Sequence, residues 1–405
     1  MPRFSSRIFK SLSIRNYRLF FMGHAVSTTG SWLQLTAMPW LVYTITNSAK
    51  MLGLVAFLDQ IFILLVSPFA GSIADRINRR TLLLITQTSL FATTFFLAIL
   101  TIFDFLEVWH IVVLASVNGI INAFDMTFRQ SFVLDLVPKE NIMNAVGLNS
   151  LVFNTARVIG PAFAGIIIAQ INIGVCFLLN SLSYLFAIAA LLKMKITAQK
   201  IKRTSFKLRE QLKIGANFIK SDVRVGYLLI QLLFMGILFA ALMVLIPIYV
   251  KDIYNLGAQG LGWFMTSIGA GALFATFAIA SRTSLKGIEK IILYSSIASS
   301  IGIFMFGLIT NLYAACLFLV IIGFSFVLMM GLTNSLIQVT APAENRGIII
   351  GFFMSLYGIA PIGSVLAGYG ATHLGADPTT MIGGFLAIVL ALILRKKLIG
   401  GLKKQ

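Results

Sequence analysis

The chain is a succession of long apolar runs separated by only a few polar residues at a time, and that pattern leaves few ways to fold. A helix crossing the hydrocarbon core of a bilayer needs about 20 apolar residues. Runs of that size recur at roughly 19–44, 50–73, 81–103, 108–130, 143–170, 172–192, 225–250, 259–281, 288–309, 312–338, 347–371 and 379–396. Twelve spans with such short connections use up most of the 405 residues, so no large extramembrane domain fits. With 58% apolar and 11% charged residues, and a mean hydropathy of +0.93, the chain lacks the polar surface of a water-soluble fold. Soluble enzymes, secreted scaffolds and free nucleic-acid binders are thereby excluded. The expected fold class is an all-α membrane protein of twelve transmembrane helices.

A net charge of +19, from 32 Lys and Arg against 13 Asp and Glu, would suggest nucleic acid in a soluble chain. Its placement argues otherwise. Apart from Lys50, Lys251 and Arg157, every Lys and Arg falls at the two termini, in the central stretch, or in or at the edge of alternate short loops, Arg129 being at such an edge. Positive residues stay on the cytoplasmic side, so the N- and C-termini are expected to be cytoplasmic. The charge excess is then a topology signal plus attraction to membrane lipids with anionic headgroups, and no nucleic-acid partner is expected. The opening MPRFSSRIFKSLSIRNYR is basic, but the run behind it contains His24, Gln34 and Pro39 and no small-residue cleavage site, so it reads as a first span. Cys176 and Cys316 lie inside apolar runs without disulfide or metal spacing and read as packing residues.

Residues 193–224 form the one long polar segment and divide the spans six and six. The two sides repeat each other. PKEN at Pro138–Asn141, followed by Gly147, matches PAEN at Pro342–Asn345, followed by Gly351, at an offset of 204. Ile159-Gly160 with Ala164-Gly165 likewise matches Ile362-Gly363 with Ala367-Gly368 at an offset of 203. Both halves start inside, so these are parallel repeats about an axis along the membrane normal, an arrangement suited to alternating access around a midplane site. The expected domains are a six-helix bundle over 1–192, a cytoplasmic linker over 193–224 and a second six-helix bundle over 225–405. Phe206, Leu212 and Ile219 among many Lys and Arg suggest one surface-lying amphipathic helix in the linker.

Between the second and third spans stands GSIADRINRR, Gly71 to Arg80. Gly71 would let two helices approach closely. Asp75 lies where a span leaves the bilayer, and Arg76, Arg79 and Arg80 at the membrane edge can pair with it or with lipid headgroups; simple anchoring of the loop by Arg79 and Arg80 is the plainer reading. This G-x-x-x-D-R-x-x-R-R loop resembles the signature of the major facilitator superfamily. The equivalent second-half stretch, Ala280 to Lys286, lacks the acid, so any gate is asymmetric. The run from Phe124 to Gly165, with WLVY at Trp40–Tyr43, is similar to the enterobactin-exporter-like branch of bacterial efflux carriers. The resemblance implies the major facilitator fold in a bacterial cytoplasmic (inner) membrane, and export of a small molecule driven by an ion gradient, usually of protons. Gly160, Pro161 and Gly165 are similar to a glycine-proline motif of antiporting members. A proline frees a backbone carbonyl and bends a spanning helix, read either as a kink with close packing or as a bend that seals one pathway.

Charged groups at bilayer depth cost several kcal/mol unless paired or hydrated. Asp59, Asp125 and Arg157 qualify. Arg129, four residues after Asp125, faces the same side of its helix, so those two make a natural local pair, and Arg157 reaches the depth of either acid. One reading is a proton relay in which Asp59 or Asp125 trades an arginine partner for a proton; the other is a static lock within the first bundle. His24 either titrates or simply packs. On the second-half side, Glu344 and Arg346 open span eleven, where Arg346 could bridge to Asp75 as a gate. The superfamily's helix order nominates Trp32, Gln34, Asn118, Asn122, Gln231, Met235, Met329, Met330 and Asn334 as lining the substrate cavity. Few charges among many aromatic and Met groups suit a bulky amphipathic solute. No metal-ligand cluster, nucleophile-base pair or phosphate-binding loop is present in the sequence, so neither an enzyme nor a cofactor is expected. The reading is a proton-coupled, monomeric exporter of a drug-like compound or siderophore. The alternatives are an importer of a nutrient or lipid-related solute on the same fold, and a non-transporting membrane sensor.

Overall fold

In the computed structural model the described residues are 9–74, 77–195, 217, 223–282, 284, 287–342, 349, 353 and 358–402. They are all-helical in architecture, with no strand among them. A short 3₁₀ turn, Lys10–Ser13, leads into α1 (Arg15–Thr46), α2 (Ala49–Ala74), α3 (Arg79–Ile102), α4 (Val108–Leu136), α5 (Ile142–Gln170) and α6 (Ile173–Lys193). After the linker come α7 (Val223–Ile248), which ends in a π-helical turn over Tyr249–Ile253, then α8 (Ala258–Ala280), α9 (Ile288–Phe306), α10 (Leu312–Thr340), α11 (Ile362–Leu374) and α12 (Ala376–Leu402). Among the described residues ten helices are long and apolar enough to cross a membrane. The exceptions are α1, diluted by polar residues such as His24 and Gln34, and α11, of which 13 residues are described. The linker segment carrying Phe206, Leu212 and Ile219 lies outside the described residues.

Helix starts follow side-chain chemistry. Asn78, Asn172 and Asn311 each precede a helix and accept from a backbone N–H of its first turn, Arg80 at 2.9 Å, Gly174 at 2.6 Å and Ala314 at 3.0 Å, which satisfies donors the helix itself leaves free. Hydropathy places several ends short, because helices continue into polar residues once outside hydrocarbon: α4 runs on to Leu136 and α12 to Leu402.

Two compact units are formed, one from Met1–Leu41 with Leu58–Ser205, the other from Val42–Phe57 with Phe206–Gln405. In the first unit, α1 lies against α6 through small residues. A Cβ at Gly23 would meet Ala190 at 2.9 Å and Ala187 at 3.1 Å, the close approach that bilayer helices use. Gly119 of α4 faces the backbone carbonyls of Leu58 and Asp59 on α2, 2.7 and 2.8 Å from where its Cβ would be. In the second unit, Gly323 of α10, 204 residues on, faces the Ile268 carbonyl of α8 in the same manner. The repeat motif behaves likewise: Gly160 of α5 abuts Trp32 of α1, and Gly363 abuts Ile237 of α7, the opening helix of the second half. The π-helical turn carries Asp252, which accepts from the Tyr43 hydroxyl, and Lys251, which donates to Asn47 Oδ1 at 3.1 Å and stands 5.1 Å over the Tyr43 ring. Lys50 stands 5.3 Å over Tyr369.

Candidate functional site

The first unit holds a desolvated charge cluster built from three helices. Asp125 of α4 is 1% exposed. Its Oδ1 accepts from Thr86 Oγ1 at 2.8 Å and Gln87 Nε2 at 2.7 Å, both on α3, and its Oδ2 accepts from Arg129 one turn along α4. A carboxylate removed from water needs such donors. Arg129 also donates through NH1 to His24 Nδ1 on α1 at 2.9 Å, with the Thr28 hydroxyl 3.1 Å from the same nitrogen. A guanidinium has only donors, so Nδ1 is the accepting nitrogen and the ring proton of neutral His24 lies on Nε2. Phe20 stacks on the imidazole at 5.5 Å.

Farther along the unit, Gln34 Oε1 accepts from Asn180 Nδ2 at 2.6 Å and from Thr94 at 3.3 Å, and Asn118 Oδ1 accepts from Thr93 at 2.6 Å. These two expected cavity residues therefore join helices together. Trp32 meets Phe153 edge-on at 5.5 Å and carries the Arg157 guanidinium 5.6 Å over its ring. Asn122 is half-buried. Asp59 is half-buried and makes no ion pair among the described residues. Hence Asp125 is joined to Arg129, while Asp59 and Arg157 are not brought together. Around the repeat motif, α5 is assigned as one helix through Pro161, with Gly160 and Gly165 both buried.

In the second unit the expected cavity residues are mostly buried. Gln231 and Met235 are each 1% exposed and Met329 is fully buried. Gln231 donates to Ser296, and Ser300 donates to the Met235 sulfur at 3.5 Å. Serines spaced four apart on α9 make a polar seam that faces α7, while the Gln231 Oε1 has no partner among the described residues. Met330 and Asn334 on α10 are half-buried, and Asn334 accepts from Gln338 at 3.3 Å.

In the basic loop, Arg79 grips both carboxylate oxygens of Asp135 on α4 at 2.8 Å and donates to the Ser131 carbonyl at 3.1 Å. Arg80 donates to the Leu191 and Leu192 carbonyls at 2.8 and 2.9 Å, satisfying the C-terminal end of α6. Among the described residues a Cβ at Gly71 would meet nothing within 4 Å. Asp75, Arg76, Glu344 and Arg346 lie outside the described residues. Sequence reading missed Asp135, Thr86 and Gln87. Asp135 had a signal, an acid at the polar end of a span; Thr86 and Gln87 had none beyond being polar within an apolar run. In a thermal-unfolding double-mutant cycle, Arg79→Ala and Asp135→Ala are expected to show a coupling of about 0.5 kcal/mol, the middle of the range for a partly exposed pair, since one guanidinium nitrogen serves both carboxylate oxygens. Additive losses would contradict this.

The family described as transmembrane secretion effector matches residues 6–401. The staphyloferrin A transporter of Staphylococcus aureus (strain NCTC 8325 / PS 47) is 27% identical over 93% of this chain and 94% of its own. The multidrug efflux pump Tap of Mycolicibacterium fortuitum is 23% identical over 90% of each chain. The macrolide efflux protein A of Streptococcus pyogenes is 20% identical over 93% of this chain and 96% of its own. Among solved structures, the nucleoside transporter NupG superposes with a TM-score of 0.76 at 11% identity, over 93% of this chain and 98% of that one. A bacterial homolog of the human lysosomal transporter Spinster does so with a TM-score of 0.70 at 14% identity, over 93% and 95%. At such identities the structures speak to fold alone. Together with the apolar helices, the family match makes this a multi-pass membrane transporter: the chain belongs to the transmembrane secretion effector family of the major facilitator superfamily.

Proposed function

We propose that the protein is a proton-coupled exporter of a bulky amphipathic small molecule, working by alternating access. The observation that carries the coupling is the Asp125–Arg129–His24 cluster. A proton on His24 Nδ1 would set two donors face to face and expel Arg129. A buried carboxylate that loses its guanidinium is costly as an anion and takes a proton instead. Either event exchanges an internal ion pair for a proton, so a conformational change that separates α1 from α4 would be tied to proton uptake or release. Export is supported by the named efflux activities of Tap and of macrolide efflux protein A. A siderophore cargo is supported by the staphyloferrin A transporter. The same reading takes twelve spans in two six-helix bundles, both termini in the cytoplasm, a bacterial cytoplasmic membrane, anionic lipid at the basic face, and a monomer.

The test uses energised inside-out vesicles in which an imposed pH gradient is followed as tetraphenylphosphonium, erythromycin or staphyloferrin A is added. At least one compound is expected to dissipate the gradient, and Asp125→Asn is expected to lower that flux by about a hundredfold at equal protein level, the scale on which a positioned proton acceptor acts. Unchanged flux in Asp125→Asn would remove this cluster from the mechanism. Absence of flux with every compound in folded protein would favour uniport or an importer.

A further inference from the structure

Beside the charge cluster, a narrow cleft opens in the first unit between α1, α3 and α6, lined by His24, Ser27, Gln87, Arg129, Ala187 and Met194, among others. It has room for water and none for a drug-sized solute. Two of its polar side chains are buried and lack a protein partner among the described residues. Ser27 is 2% exposed with an unpartnered Oγ, and Gln87 is 3% exposed with an unpartnered Oε1, although its Nε2 donates to Asp125. The Nε2–H of His24, in the tautomer required by Arg129, likewise has no partner among the described residues. One hydroxyl, one amide acceptor and one imidazole donor around a small space form a water site: buried waters make about three hydrogen bonds to otherwise unsatisfied groups. Leaving such atoms unpaired costs each its desolvation free energy.

We propose that Ser27 and Gln87 hold structural water in this cleft, in contact with His24 and beside Met194. The charged groups adjoining that water are Arg129 and, through Gln87, Asp125; α6 contributes only apolar side chains to the lining. Water there would give the His24–Arg129–Asp125 cluster its solvent contact. That role in coupling rests on the proton-driven reading above, whereas the presence of the water does not.

The experiment is X-ray radiolytic labelling of the full-length protein in lipid nanodiscs, which splits bound water into hydroxyl radicals that attack nearby side chains. Met194 is 2% exposed, and Met329, buried at 0%, serves as the reference within the same chain. Met194 is expected to be oxidised about tenfold faster than this reference, since a bound water supplies the radical. Gln87→Leu and Ser27→Val are each expected to slow Met194 by about fivefold while leaving the exposed Met143 unchanged, because each removes one of the water's partners. Wild-type Met194 as slow as Met329 would overturn the proposal, and so would fast Met194 labelling in both folded variants. Should either variant fail to fold, the wild-type comparison decides alone. Rapid Met194 labelling in a protein that shows no proton flux would leave the water site standing and remove the proton-coupled reading.

Discussion

Arg129→Met is expected to destabilise the protein by about 3–5 kcal/mol, the loss that follows when one partner of a buried ion pair is removed and the other stays behind. Asp125 cannot relieve its charge by turning to water, being 1% exposed, and Thr86 and Gln87 supply hydrogen bonds but no opposite charge. Arg129→Met combined with Asp125→Asn is expected to recover most of that loss. Asparagine can still accept from Thr86 and Gln87 through its carbonyl oxygen, and the double variant buries no net charge. Unfolding in detergent for the two single variants and the double one measures the outcome. A single variant within about 1 kcal/mol of wild type would mean that the pair is hydrated and not desolvated. The two readings of the cluster then separate cleanly: a static lock predicts that the stable double variant still transports with coupled protons, and a relay predicts that it folds without coupling.

Gly363→Val is expected to cost about 3 kcal/mol or more, because overpacking of a close contact is relieved only by moving backbone. A Cβ at this position would overlap the carbonyl oxygen of Ile237, and that oxygen belongs to the helix ladder of α7 and cannot swing aside. The matched control is Gly71→Ala, where open space leaves stability within about 0.5 kcal/mol of wild type. Folded yield on size exclusion and the thermal midpoint provide the readings. A Gly363→Val protein as stable as Gly71→Ala would show that α11 and α7 are farther apart than described.

The placing of helices along the chain was legible in the sequence, because hydrocarbon thickness sets the length of an apolar run; among the described residues every run except 347–371, whose helix is described from Ile362, became a helix within a few residues. The local pair of Asp125 with Arg129 was legible for the same kind of reason, since one turn of helix brings i and i+4 together whatever else happens. Azimuth was not. A run apolar on all faces carries little record of which face meets a neighbour, so the contacts of Gln231 and Met235 with the serines of α9 left no trace in the sequence. Gly71, in turn, read as a packing glycine, and among the described residues nothing lies within 4 Å of where its Cβ would be. The pairing of Arg79 with Asp135 was hidden because Asp135 lies 56 residues away on another helix.

Gly119 and Gly323 occupy corresponding places in the two halves, and each presses on the carbonyl backbone of a neighbouring helix. A gene that doubled and then drifted could change almost any lipid-facing side chain on either copy, but it could not add a single methyl group at this point on either one. Such positions are held alike in both halves by contact with backbone. A substitution map of one half should therefore forecast intolerance in the other at a fixed displacement along the chain, even where no letter of the surrounding text still agrees.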